Sequence, residues 1–97
     1  MVRWSERARA DLKAIHDYIA RDSRQNAQAV VREILRRADS LAATPRLGRV
    51  VPELREPELR EVSAYSWRIL YRLRDSEPCI VTLVHQRRHL EPADLAR

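Results

Sequence analysis

A chain of 97 residues, 44% hydrophobic and 34% charged with one glycine and five prolines, has the composition of a globular protein, not a disordered, collagen-like or coiled-coil one. Nineteen lysines and arginines against fourteen acids give a formal charge of +5, and every basic residue except Lys13 is an arginine, which favours a polyanionic or acidic partner. The expectation is one domain over residues 1–97, without room for a separate cofactor domain. Residues 1–50 hold eleven basic and six acidic groups and residues 51–97 hold eight of each, so the excess belongs to the first half. No stretch approaches the roughly 18 apolar residues of a membrane-spanning helix, and Met1-Val2-Arg3-Trp4 lacks the apolar core of a secretion signal. A soluble, cytoplasmic protein with no membrane partner is expected. Cys79 is the only cysteine, so no internal disulfide can form. His85 and His89 have a metal-like spacing without a second ligand pair, and no metal or other cofactor is expected.

Val2 to Trp4 reads as a brief strand that runs into a helix capped by Ser5. Ala8, Leu12, Ile15 and Ile19 form one stripe of a 3.6-residue period and predict a first helix over about residues 6–21. Asp22-Ser23-Arg24 is a tight polar connection. Ala27, Val30, Val31, Ile34, Leu35, Ala38, Leu41 and Ala42 then predict a second helix over about residues 24–43, folded back on the first. Thr44-Pro45 ends it, and Gly48 with Pro52 marks an irregular loop. From there the period changes to two. Residues 59–64 are a weak strand, residues 67–74 a strong one, and residues 79–85 an apolar, β-branched run suited to the middle of a sheet. Asp75-Ser76-Glu77-Pro78 reads as a four-residue hairpin loop, and Glu91-Pro92-Ala93-Asp94 as one closing helical turn.

With residue 74 opposite 79, residue 72 faces 81, 70 faces 83 and 68 faces 85. One face then carries Trp67, Ile69, Tyr71, Leu73, Ile80 and Val84 with Thr82, and is the surface for the helical hairpin to cover. The other carries Arg68, Leu70, Arg72, Arg74, Cys79, Val81, Leu83 and His85, which no remaining segment is long enough to bury. This second face is the predicted working surface. Arg68 and His85 would be cross-strand neighbours with Arg87 close by, three groups able to hold or protonate a phosphate. Metal-free RNA hydrolysis needs a base, an acid and cations for the phosphorane; Tyr71 points inward, and a second proton-transfer group is missing. Glu53, Glu56, Glu58 and Glu61, interleaved with Arg55 and Arg60, read as a solvated loop and strand edge. Arg32, Arg36 and Arg37 suit the end of a helix dipole or a partner's carboxylates, and Trp4 and Trp67 belong to the core or its rim.

Three segments carry a resemblance. Trp4-Ser5-Glu6-Arg7-Ala8 with Asp11-Leu12, Tyr65-Ser66-Trp67-Arg68-Ile69-Leu70-Tyr71-Arg72, and Ile80-Val81-Thr82-Leu83-Val84-His85-Gln86-Arg87-Arg88 resemble the start and the last two strands of the RelE/ParE superfamily, the toxin halves of bacterial type II toxin–antitoxin pairs. The resemblance implies an α+β fold: an N-terminal strand and an αα-hairpin packed on one face of a small antiparallel sheet. It also implies a growth-arresting, plasmid-stabilising toxin and a cognate antitoxin partner that wraps it. Arg68, Leu70, Arg72, Arg74, Val81, Leu83, His85 and Arg87 are the partner-binding candidates. Two branches divide the family. ParE-like members inhibit DNA gyrase by protein–protein binding, and the His-Gln-Arg-Arg ending resembles theirs. RelE-like members cleave mRNA on the ribosome, which implies Arg68, His85 and Arg87 as catalytic candidates. The ParE-like reading is preferred, with an inert scaffold as the third. Gln86 stands where the family usually has glycine.

Overall fold

Ser5 joins the two ends of the chain. Its hydroxyl accepts the amide hydrogen of Ala8 at 3.0 Å, capping a helix, and donates to the carbonyl of Val81 at 3.0 Å. In the computed structural model, which describes residues 2–95, strand β1 (Arg3–Trp4) runs directly into helix α1 (Glu6–Ala20). Ser23 caps helix α2 (Arg24–Ser40) through the amide of Asn26. The short connection folds α2 back along α1 as predicted. Helix α2 stops before residue 43: the amides of Leu41 and Ala42 turn to the carbonyls of Ala38 and Asp39, three residues back, which tightens and ends its last turn.

Four more strands follow: β2 (Arg49–Val50), β3 (Leu59–Ala64), β4 (Trp67–Arg74) and β5 (Glu77–His85), with a 3-10 turn over Pro92–Leu95. Among the described residues they form one sheet in the order β1-β5-β4-β3-β2, antiparallel except where β1 runs parallel to β5. Strand β2 lies in what the sequence suggested was irregular loop. Both helices pack on one face, where Ala8, Ile15, Ile34, Ala38 and Leu41 meet Ile69, Tyr71, Leu73, Ile80 and Leu83.

The hairpin register differs from the expected one, and the difference decides which residues share a face. Asp75 and Ser76 both take left-handed backbone angles, φ 51° and 65°, and make a two-residue turn. Strand β5 therefore starts at Glu77 and includes Pro78. Leu73, opposite Pro78, sends its amide to Glu58 of the neighbouring chain segment, so the nitrogen of Pro78 faces away from β4 and no ladder bond is lost. A bulge then leaves Val81 unmatched: Tyr71 pairs with Ile80, and Leu70 with Thr82. Beyond it the pairing is one residue from the expected register, which exchanges the faces. Leu83 lies opposite Ile69 under the helices, while Val84 lies opposite Arg68 on the other side.

That other side is not bare. Val51, Leu59, Leu70, Val84 and Leu90 form a second buried cluster, with Leu54, Val81 and Leu95 against it. The loop after β2 and the segment after β5 supply the cover that the sequence reading judged too short to exist.

Tyr71 fastens the loop after α2 to the sheet. Its buried hydroxyl accepts from the Gly48 amide at 2.8 Å and donates to the Pro45 carbonyl at 2.7 Å. A Cβ on Gly48 would lie 2.5 Å from the Glu61 carbonyl and 2.7 Å from the Tyr71 hydroxyl. Gly48→Ala is expected to lower unfolding free energy in urea titrations by about 2–3 kcal/mol. Tyr71→Phe, which strands the Gly48 amide, should remove about 1–2 kcal/mol.

Candidate functional site

Strand alternation places Arg49, Glu61, Ser63 and Arg68 together on the face away from the helices, since Arg49 pairs with Glu61 and Ser63 with Arg68. Only 6% of Arg68 is exposed, and its guanidinium is shared by two carboxylates. Both terminal nitrogens donate to Glu53 at 2.8 Å, and Nε donates to Glu61 at 2.6 Å. Arg49 donates from Nε to the other oxygen of Glu61 at 2.7 Å. Arg68 also donates to the Arg88 carbonyl at 3.0 Å, and Glu53 accepts the Leu90 amide at 3.2 Å. The same network thus neutralises buried charge and pins the chain that leaves β5. The hydrogen bonds from Arg68 hold the Glu53 carboxyl at about 2, outweighing the opposing effect of burial.

The C-terminal segment is fastened again at its end. Arg88 donates to Asp94 at 2.5 Å, the Glu91 amide donates to the same carboxylate at 2.8 Å, and Arg7 of α1 reaches the Asp94 carbonyl. The Glu91 amide is the main cause that keeps the Asp94 carboxyl below its usual range.

These contacts change the standing of the predicted residues. Arg68 and His85 are not cross-strand neighbours: Trp67 faces His85, with the rings edge to face at 5.4 Å, and Arg68 faces Val84. Nδ1 of His85 accepts the Arg87 amide at 3.2 Å, so His85 is turned into the loop after β5. The predicted convergence of Arg68, His85 and Arg87 does not form; only Arg68 and Arg87 border the same cleft. Leu70 and Leu83 are buried, one on each face, and are closed to a partner, as is Arg68. Arg74, His85 and Arg87 are exposed, Val81 is half-buried, and half-buried Arg72 meets Glu56 at 3.1 Å.

Two concavities among the described residues flank these contacts. A groove of about 1090 Å³ at the Asp75–Ser76 end is lined by Arg3, Arg7, Arg72 and Arg74 together with Glu6, Asp75 and Glu77, and by the half-buried Cys79 and Val81. A cleft of about 530 Å³ lies over the Arg68 network at the other end, bordered by Arg49, Ser63, Gln86 and Arg87. Among the described residues no cluster of three or more His, Cys, Asp or Glu side chains is arranged to hold a metal, and no helix is long and apolar enough to cross a membrane. The sequence reading missed Glu53 and Glu61, placing both in solvent. The signal was present for Glu61, which alternates in phase with Leu59 on the buried side of β3.

The profile of the ParE toxin of type II toxin–antitoxin systems, parDE, matches residues 2–90. The chain belongs to the ParE toxin family. No individual curated protein matches it. Among solved structures the toxin is similar to a chain of the chromosomal ParDE toxin–antitoxin system of P. aeruginosa, at 23% identity and a TM-score of 0.71, over 87% of this chain and 92% of that one. It is also similar to a chain of the RelBE2 toxin–antitoxin complex of Mycobacterium tuberculosis, at 23% identity and a TM-score of 0.61, over 88% and 95%. At these identities the two structures establish the shared fold.

A carboxyl held below its ordinary value near 4.5 stabilises the folded state above that value and loses the contribution as pH falls toward the folded value. The toxin should therefore lose stability between about pH 4.5 and 2. Glu53→Gln should be less stable at neutral pH and lose less across that interval. Denaturant titrations at stepped pH measure both.

Proposed function

We propose that this ParE-family toxin arrests growth by binding DNA gyrase, protein to protein, and that a cognate antitoxin neutralises it in the cytoplasm. The observation that carries the reading is the state of Arg68. RNA hydrolysis needs a cation free to meet a phosphorane and a base beside it; here the cation is sealed between Glu53 and Glu61. His85, the proton-transfer candidate, is paired with Trp67 and lies outside the cleft that Arg68 borders. A toxin so arranged acts by occupying its target, and its family membership supports the same branch. Residues 1–97 act as one domain in this reading.

The rim of the larger groove supports the antitoxin as its occupant. Arg3 and Arg74 are exposed, and the half-buried Cys79 and Val81 between the strands offer apolar surface to an extended acidic segment. Both similar solved structures are toxin–antitoxin assemblies, which agrees with such a partner.

Purified toxin at stoichiometric excess is expected to block gyrase supercoiling and to leave mRNA intact in a translation reaction. Untouched supercoiling together with cut transcripts would replace this reading by the RelE-like one. Arg74→Glu should weaken antitoxin affinity by about tenfold, as expected for reversing a rim charge, measured by calorimetry.

A further inference from the structure

Tyr65 occupies a position where the fold itself gains nothing from an aromatic ring. Ala64 pairs with Trp67, so Tyr65 and Ser66 are the two central residues of the turn between β3 and β4. Tyr65 takes φ 56°, and Ser66 does not share the left-handed region. A positive φ at the first central position alone is the pattern that glycine ordinarily fills. A bulky residue there stores strain, whereas asparagine, aspartate and glycine enter that region readily.

Burial does not offset the strain. Tyr65 is 63% exposed and joins neither apolar cluster. The other exposed tyrosine, Tyr18, differs on both counts: it lies on the helical backbone of α1, and the guanidinium of Arg21 stacks over its ring at 5.9 Å.

The turn has neighbours of the same kind. The Gln86 amide donates to the Ser66 carbonyl at 2.8 Å, which ties the chain after β5 to the turn. Half-buried Trp67 and exposed His85 stand beside it as a cross-strand pair. Arg87 is exposed in the loop that follows His85 and joins none of the ion pairs among the described residues, whereas Arg88 is paired with Asp94. Tyrosine, tryptophan and arginine are the residue types that anchor protein–protein interfaces.

We infer that the β3–β4 turn is the toxin's anchor on its target protein, with the Tyr65 ring entering an apolar pocket of gyrase that has acidic groups at its rim for Arg87. The inference rests on the gyrase reading and adds to it the surface that makes the contact. The antitoxin suits the turn less well, because its groove lies at the Asp75–Ser76 end, the length of β4 or roughly 26 Å away. Strain in the free toxin then has a use: it fixes the anchor before the target arrives and cuts the ordering cost of binding.

The experiment compares the native toxin with Tyr65→Gly, Tyr65→Asn and Tyr18→Ala in three measurements: inhibition of gyrase supercoiling, antitoxin affinity by calorimetry, and unfolding in urea. Glycine and asparagine both accept the left-handed backbone, so the two Tyr65 variants should unfold at the same urea concentration as the native toxin or a higher one. Both should need about tenfold more protein for half-inhibition and keep the native antitoxin affinity. Tyr18→Ala, the loss of an exposed ring at an unstrained position, should inhibit as the native toxin does. A native toxin without effect on supercoiling would overturn the gyrase reading and this inference with it. A native toxin that inhibits, with both Tyr65 variants inhibiting equally well, would overturn the inference alone. So would a parallel loss of antitoxin affinity in those variants, an equal loss of inhibition in Tyr18→Ala, or unfolding of both Tyr65 variants at lower urea than the native toxin.

Discussion

A single guanidinium, that of Arg68, organises the side of the sheet that the helices do not cover. A charge placed there without partners would be too costly to bury, and two carboxylates from different segments meet it. Glu61 comes from the neighbouring strand and Glu53 from the loop after β2. Because Glu53 also accepts the Leu90 amide and Arg68 also donates to the Arg88 carbonyl, satisfying the charge fixes the path of the chain after β5. Leu90 is thereby delivered onto Leu70 and Val84, and the second apolar cluster closes. The polar network and the apolar cover are parts of one arrangement.

The consequence for function is a division of that face. Its apolar half is used internally, under Leu90 and Leu95, and its polar half stays open above the ion pairs. The larger groove lies at the opposite end, beside Arg3, Arg72 and Arg74. Strands β4 and β5 run between the two concavities, with Trp67 and His85 near one end and Arg74 and Glu77 at the other. A strand of eight residues spans roughly 26 Å. The length of these strands keeps the two concavities apart.

Much of the fold was legible because it rests on local signals. The apolar stripes of both helices, Ser5 as a cap, the inward turn of Tyr71 and the alternation of β4 needed only periodicity and side-chain chemistry. The hairpin register was not legible for a stated reason. Asp75 and Ser76 adopt left-handed angles without a glycine, and Pro78 reads as a strand breaker until the amide of Leu73 is known to point elsewhere. The bulge at Val81 then turned a misplaced loop into exchanged faces for Leu83 and Val84. The candidate site suffered most from this. Arg68 was read as an open group of the working face, but its partners Glu53 and Glu61 lie 15 and 7 residues away, and the spacing of charges along the chain does not reveal which pair will be buried together.

The central claim is that the Arg68–Glu53 pair holds the C-terminal segment onto the sheet, and hydrogen exchange at the Leu90 amide tests it most directly. In the native toxin that amide should be protected nearly as well as those of β4 and β5. In Glu53→Gln it should exchange far faster while β4 and β5 keep their protection. Free exchange at Leu90 in the native toxin, or unchanged protection in the variant, would contradict the account.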